Sequence, residues 1–306
     1  MQIQLDLSKT PFNLDYTLSC GQTFRWKKRG EWWIGVVGQA VLKLRQSGGT
    51  LFFEGSSDDL DRRFVGRYFR LDDDLCSVYS ALMRDTHVRE AVKQFHGLRL
   101  LRQQPWECLI SYICATYKNI PAIKQMICNV SRKFGERIEF EGAQFYGFPQ
   151  PQALARASLR DLRLCKLGYR AESVRETARL VDTGDFDLES LRDLPYVDAK
   201  RMLLSLPGVG PKVADCVLLF SLDKLEAFPV DIWMRRIMLE WYSEYFEPSF
   251  VDRVKPKGSI SRWEYQILYA VGRRVFGEFL GYAQEYLYHY RRCQALQGKG
   301  DSLSCG

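Results

Sequence analysis

Residues 206–231, LPGVGPKVADCVLLFSLDKLEAFPVD, constrain the fold of this chain more tightly than any other stretch. A turn built from Leu206, Pro207, Gly208, Val209 and Gly210 runs directly into an apolar helical pattern that carries Lys212 near its start. Glycine reaches φ > 0 without steric cost, so Gly208 and Gly210 permit a sharp reversal between two helices. They also leave backbone N–H groups bare at a helix N-terminus, where an anion can dock. Asp231 follows Pro229 and Val230 at the start of the next helix. One helix–turn–helix span therefore brings together an anion seat, an amine and a carboxylate.

The remainder of the chain shows two kinds of pattern. Within residues 1–70, WWIGVVGQAVLKLRQ and TLFFEG carry β-branched and aromatic residues broken by glycines, as strands and turns do. From about 71 the pattern is helical. DDDLCSVYSALMRD opens with acidic capping residues and continues with apolar spacings of three and four. Further helices are predicted at 86–95, 104–118, 120–134, 152–158, 159–165, 171–182, 188–192, 196–204, 211–221, 231–242, 261–275 and 281–295. The expected fold class is α+β, with a small N-terminal antiparallel β-sheet domain (1–75) followed by a large, mostly helical domain (76–306). The tail GKGDSLSCG, 298–306, is expected to fray.

Composition narrows the function. Hydrophobic residues make up 46% and aromatics 13% of 306 residues, enough for a sizeable core and too many for a disordered chain. A formal net charge of +7 favours a polyanionic partner without fixing it. The nine cysteines (Cys20, Cys76, Cys108, Cys114, Cys128, Cys165, Cys216, Cys293 and Cys305) form no CxxC pair, as expected of reduced thiols in an intracellular protein. No four-cysteine tail marks an iron–sulfur cluster, and His87, His96 and His289 are too scattered for zinc. The N-terminus lacks a basic-then-apolar signal, and no apolar run reaches the ~18 residues of a membrane span.

Read singly, the residues of the opening segment have ordinary explanations. LPGVG is also a plain helix–loop–helix turn, a lysine in a first helical turn is usually solvated, and Asp231 is a good N-cap. Read together they point to chemistry. Val213, Ala214, Val217 and Leu218 give Lys212 apolar neighbours, and with the helix dipole these favour the neutral amine. A neutral amine can form a Schiff base with a sugar carbon. A carboxylate such as Asp231 can steady an oxocarbenium-like centre at that carbon. An amine and a carboxylate suffice for N-glycosidic cleavage followed by β-elimination.

At this point five motifs in order resemble one family. LPGVG with Lys212 and the downstream Pro-Val-Asp is similar to the helix–hairpin–helix base-excision glycosylases. Within them, SCGQTFRW (19–26), PWECLISYICATYKNI (105–120), LGYRA (167–171), GVGPKVADC (208–216) and GYAQEYLY (281–288) resemble the 8-oxoguanine DNA glycosylases. The resemblance spans most of the chain and implies a TBP-like N-terminal sheet domain and a bifunctional DNA glycosylase and AP lyase. Lys212 is then the Schiff-base nucleophile and Asp231 the catalytic aspartate. Cys216 flanks a flipped base, Gln284 reads its Watson–Crick edge and Tyr288 stacks on the opposite face. Gly21 offers a backbone carbonyl to N7, protonated in 8-oxoguanine and a lone pair in guanine; only glycine lets the backbone come so near. Tyr117, Lys118, Asn119, Tyr169 and Arg170 fill the gap left by the base, with Tyr169 stacking and Arg170 bonding an orphaned cytosine. Gly208 and Gly210 of the hairpin, together with Trp233, face the DNA backbone.

The resemblance has gaps. Tyr117 replaces the first gap-filling asparagine of the animal enzymes. Their cytosine-reading arginine is missing, since Pro121 and Ala122 stand there, which implies weaker opposite-base selectivity. Trp233 replaces a histidine, and Tyr288 a phenylalanine, which keeps the stacking face. Such differences, with the short chain and absent targeting segment, point to a prokaryotic or archaeal member acting as a monomer on 8-oxoguanine in duplex DNA, DNA-associated and away from membranes. No cofactor is required; a monovalent cation on the carbonyls of Leu204, Leu206 and Val209 is implied by the resemblance. Two rival readings are an alkylpurine DNA glycosylase, against which Lys212 counts, and a non-catalytic DNA-binding protein, which has no use for the Gly21 and Gln284 motifs.

Overall fold

The computed structural model describes residues 3–8 and 10–297. The tail 298–306, expected to fray, and Cys305 within it lie outside the described residues; Cys20, Cys76, Cys108, Cys114, Cys128, Cys165 and Cys216 are free thiols. Five strands, β1 (Ile3–Asp6), β2 (Trp26–Arg29), β3 (Trp32–Val37), β4 (Ala40–Ser47) and β5 (Thr50–Gly55), form an antiparallel sheet in the order β1-β5-β4-β3-β2. Two-residue turns, each opened by a glycine, join β2 to β5. Alternation along the strands sends Trp33, Leu42, Leu44, Leu51 and Phe53 into a core closed by two short helices, α1 (Leu14–Ser19) and α2 (Arg62–Tyr68). These helices stand inside the segment expected to be β-rich, where the strand pattern of their neighbours outweighs them.

The helical part begins with α3 (Leu75–Leu82), α4 (Thr86–Gln94), α5 (Pro105–Cys114) and α6 (Ile120–Phe134). A hairpin that sequence periodicity did not bring out follows, β6 (Arg137–Phe140) paired with β7 (Ala143–Tyr146). Then come α7 (Pro151–Ala155), α8 (Leu159–Leu164), α9 (Arg170–Asp182), α10 (Tyr196–Leu203), α11 (Pro211–Ser221), α12 (Ile232–Trp241), α13 (Pro248–Val254), α14 (Arg262–Phe276) and α15 (Leu280–Gln297). Among the helices of this part, α13 lacks a counterpart among the predicted ones. One continuous core runs through these helices, with Leu109, Ile113, Leu167, Val217, Leu218, Met238, Leu268 and Leu287 at its centre. Among the described residues, no helix is long and apolar enough to cross a membrane.

The two cores are stitched together by the motif around Gly21. The side chain of Gln22, 1% exposed, donates to the carbonyls of Thr17 (3.0 Å) and Arg99 (2.8 Å) and accepts from the Leu101 amide (2.8 Å). Its backbone carbonyl accepts from Gln103 (2.7 Å) and from the Tyr112 hydroxyl of α5 (3.0 Å). Arg25 pairs with Glu107 of α5 at 3.1 Å, both nearly buried. Buried polar groups are costly unless satisfied, so these bonds fix the 19–26 loop against the helical body.

Candidate active site

The α10–turn–α11 unit has the reversal read from the sequence. Gly208 sits at φ 78°, and a Cβ there would lie 2.7 Å from the Ser173 side chain, so a side chain is excluded twice over. The Leu206 carbonyl accepts the Val209 amide at 3.1 Å, and Thr177 of α9 donates to the Pro207 carbonyl at 3.1 Å. Gly210 caps α11 without a side-chain hydrogen bond, and Pro211 occupies its first turn. The first amides of α11 therefore face outward uncapped, the arrangement that binds a phosphodiester oxygen.

A cavity of ≈ 690 Å³ opens beside this helix end, within the roughly 300–1,000 Å³ typical of ligand sites. Of the residues singled out from sequence, Gly21, Tyr117, Lys118, Asn119, Gly208, Gly210, Lys212, Cys216, Asp231, Trp233, Gln284 and Tyr288 all line it. Lys212, partly buried, holds its Nζ 4.8 Å from the centre of the Tyr112 ring. Cys216 lies one turn further along α11; burial pushes its thiol up to about 12, against the pull of Lys212, so it faces the cavity as a neutral wall. Asp231 caps α12, accepting the Met234 amide at 2.8 Å. Burial pushes its pKa above the ordinary aspartate value, while the Met234 amide and Lys212 pull it down. Tyr288 stands in the field of Asp231, which with burial raises its phenol.

The carbonyl-bearing turn at Gly21 is held from the other end of the chain. Gly21 has φ 107°, and a Cβ there would meet Arg292 Nη1 at 2.6 Å and Ile120 Cδ1 at 3.0 Å. Arg292 of α15 donates to the carbonyls of Ser19 (2.6 Å) and Cys20 (2.7 Å). Neither Arg292 nor Glu285, which also lines the cavity, was singled out from sequence. A signal for Glu285 existed: Tyr282, Ala283, Tyr286 and Leu287 around it are all buried apolar positions, so a carboxylate there interrupts a helix that is apolar on every side.

The gap-filling edge is arranged differently from its expectation at one residue. Tyr117, at φ 54° and 77% exposed, and Tyr169, 66% exposed, stand on two neighbouring loops. Lys118 is exposed, and Asn119 uses its side chain to cap α6 through the Ala122 amide at 3.0 Å. Arg170, expected to bond an orphaned base, is instead 4% exposed. Its guanidinium donates to the carbonyls of Thr116 and Leu167, and Tyr169 packs 4.3 Å from it. The cause is position: Arg170 begins α9 and points inward beneath the Tyr117 loop.

The carbonyls implied as a cation seat lie in the hairpin. A carbonyl has two lone pairs, so the Leu206 bond to Val209 leaves it able to share an ion with Leu204 and Val209. Among the described residues no group of three or more His, Cys, Asp and Glu side chains is gathered for a metal.

This cavity, flanked by an uncapped helix–hairpin–helix and an amine–carboxylate pair, defines a helix–hairpin–helix glycosylase. Residues 110–246 match the HhH-GPD superfamily of base excision DNA repair proteins, and residues 4–109 match the N-terminal domain of 8-oxoguanine DNA glycosylase. The chain belongs to the 8-oxoguanine DNA glycosylase family. It is 35% identical over 257 residues to the "Probable N-glycosylase/DNA lyase" of Methanothermobacter thermautotrophicus, covering 77% of this chain and 76% of that one. It is 31% identical over 299 residues to an N-glycosylase/DNA lyase of Arabidopsis thaliana, covering 93% and 78%. The solved structure of Clostridium acetobutylicum 8-oxoguanine glycosylase/lyase, in complex with duplex DNA containing cytosine opposite 8-oxoguanine, superposes with a TM-score of 0.84 at 30% identity, covering 96% and 98%.

Proposed function

We propose that this protein excises 8-oxoguanine from duplex DNA as a bifunctional glycosylase and AP lyase, with Lys212 as nucleophile and Asp231 as electrostatic partner. The observation that carries the assignment is their convergence: amine and carboxylate line one cavity with Gly21, Cys216, Gln284 and Tyr288, beside the uncapped start of α11. The target nucleotide leaves the stack and its base enters this cavity, between Cys216 and Tyr288. As the N-glycosidic bond breaks, its electron pair leaves with the base, and ionised Asp231 stabilises the positive charge growing at C1′. The Lys212 Nζ lone pair forms the bond to C1′. After proton loss and ring opening the adduct is a Schiff base. Removal of a C2′ proton then expels the 3′ phosphate, and hydrolysis returns the amine. Tyr117 and Tyr169, exposed on adjoining loops, are placed to occupy the space that the base vacates.

Arg170 is committed to protein carbonyls, and Pro121 and Ala122 occupy the stretch where an opposite-base reader was sought. Weak dependence on the opposite base fits that arrangement. We further assign the enzyme to a DNA-associated, intracellular setting as a monomer, because one chain contributes every group named above.

Single-turnover cleavage of 8-oxoguanine duplexes with borohydride trapping tests the assignment. Lys212→Gln should abolish strand cleavage and trapping while DNA binding persists, and Asp231→Asn should slow excision about 10²-fold or more, a typical electrostatic contribution. Continued nicking by Lys212→Gln would remove Lys212 from its role.

A further inference from the structure

Among the ionisable groups that line the base cavity, the chemistry above leaves a buried carboxyl idle. Glu285 follows Gln284 on α15, is 2% exposed and lines the cavity. The Cys20 thiol hydrogen-bonds its carboxyl, but Oε1 is fully buried and has no partner of its own; Oε1 of Gln284, itself 4% exposed, is in the same condition. Leaving a buried acceptor unmade is costly, and such orphans ask for a ligand. The groups facing Glu285 come from several elements: Cys20 after α1, Tyr112 of α5, Lys212 of α11, Asp231 at the start of α12, and Arg292 and Tyr288 of α15. Arg292, whose field acts on Glu285, directs two of its donors to the Ser19 and Cys20 carbonyls and forms no salt bridge with it.

Two unpartnered acceptors on successive residues of one cavity wall suit a ligand with two adjacent N–H donors. The Watson–Crick edge of a guanine-type purine has that pattern, with N1–H beside the exocyclic amine, whereas an adenine-type purine places an acceptor at N1. We propose that Glu285 is a specificity-determining residue of the base pocket, accepting a hydrogen bond from the exocyclic amine of a guanine-type base while Gln284 takes N1–H. This deepens the 8-oxoguanine assignment and rests on it. The electrostatics agree: burial lifts the Glu285 pKa to about 7, against the pull of Cys20 and Arg292. Its ionised form is the stronger acceptor, so recognition of the amine strengthens as pH rises through that value.

The test is single-turnover excision by the full chain, wild type, Glu285→Ala and Glu285→Gln, between pH 6 and 8. The paired substrates are duplexes containing 8-oxoguanine or 8-oxohypoxanthine, which replaces the amine by hydrogen. Taking the ratio of the two rates cancels groups that titrate for both, Asp231 included. Wild type should prefer 8-oxoguanine by about tenfold or more, the scale of one lost buried hydrogen bond, and the preference should grow with pH. Glu285→Ala should lose most of the preference. Glu285→Gln keeps an acceptor oxygen without a titration, so it should retain a preference that no longer changes with pH. An alanine variant that slows both substrates equally, or a glutamine variant whose preference still follows pH, overturns the inference alone. Wild-type protein inactive on 8-oxoguanine overturns the functional assignment and this inference with it.

Discussion

A carboxyl whose pKa stands near 7 in the folded protein, against an ordinary 4.5, weakens the fold as pH rises. The sign follows from linkage: the folded state holds the Glu285 proton more tightly than the unfolded chain, so the associated stability is complete below 4.5 and lost by the time pH passes 7. At about 1.4 kcal/mol per pKa unit the loss is roughly 3 kcal/mol. Asp231, also raised by burial, acts in the same direction. Glu285→Gln should therefore unfold at higher urea than wild type at pH 8, with the gain fading towards pH 4.5. Equal midpoints at pH 8 would show that the carboxyl carries no such strain. At this scale the sequence was informative where a position depends on local pattern, as for Lys212, Gly208 and Asp231, each marked by its place at a turn or helix start. It was silent on Arg292, whose role in holding the Ser19 and Cys20 carbonyls depends on a contact across more than 270 positions of chain.

At the scale of elements, α9 and the loop after α5 work as one unit. Arg170 opens α9, lies buried, and donates to the carbonyl of Thr116 immediately before Tyr117, whose φ of 54° is unusual for a residue with a side chain. A charged donor on a carbonyl contributes about 1.5–3 kcal/mol, and the Thr116 carbonyl is partly buried. Arg170→Ala should lower the urea midpoint by that order and slow excision by loosening Tyr117, while leaving the opposite-base profile unchanged. Unaltered stability with an altered opposite-base profile would return Arg170 to the base-reading role. The elements that sequence periodicity missed share a cause. In β6 and β7, RIEF and AQFY do alternate about the Glu141-Gly142 turn, but four residues each are outweighed by the long helical patterns on either side. α13, PSFVDRV, buries only Phe250 and Val254 and has no side-chain cap, so neither an apolar repeat nor a capping residue marks it.

Across the whole molecule, the pocket is assembled from positions as distant as Gly21 and Tyr288; the sheet-bearing part reaches it through Gly21 and Gln22 and is tied to α5 by the Arg25–Glu107 pair. Linear motifs named these segments; the bonds that bring them together were not visible in any one of them. The same assembly gathers charge. Of the cations behind the formal net charge of +7, Lys118 and Arg262 are exposed and line the same cavity as the uncapped start of α11. Cations so placed meet the phosphates flanking a flipped nucleotide, and each neutralised phosphate steepens the salt dependence of duplex binding by about 0.9 in log K against log salt. Lys118→Ala and Arg262→Ala should each weaken binding to damaged and undamaged duplex alike and make that slope shallower by about 0.9. Fluorescence anisotropy from about 50 to 200 mM salt reads both quantities. A variant that loses affinity only for the damaged duplex, at unchanged slope, would place its cation against the base instead of the backbone. Parallel losses at a reduced slope would mark the cavity mouth as the edge along which this protein follows the phosphate chain.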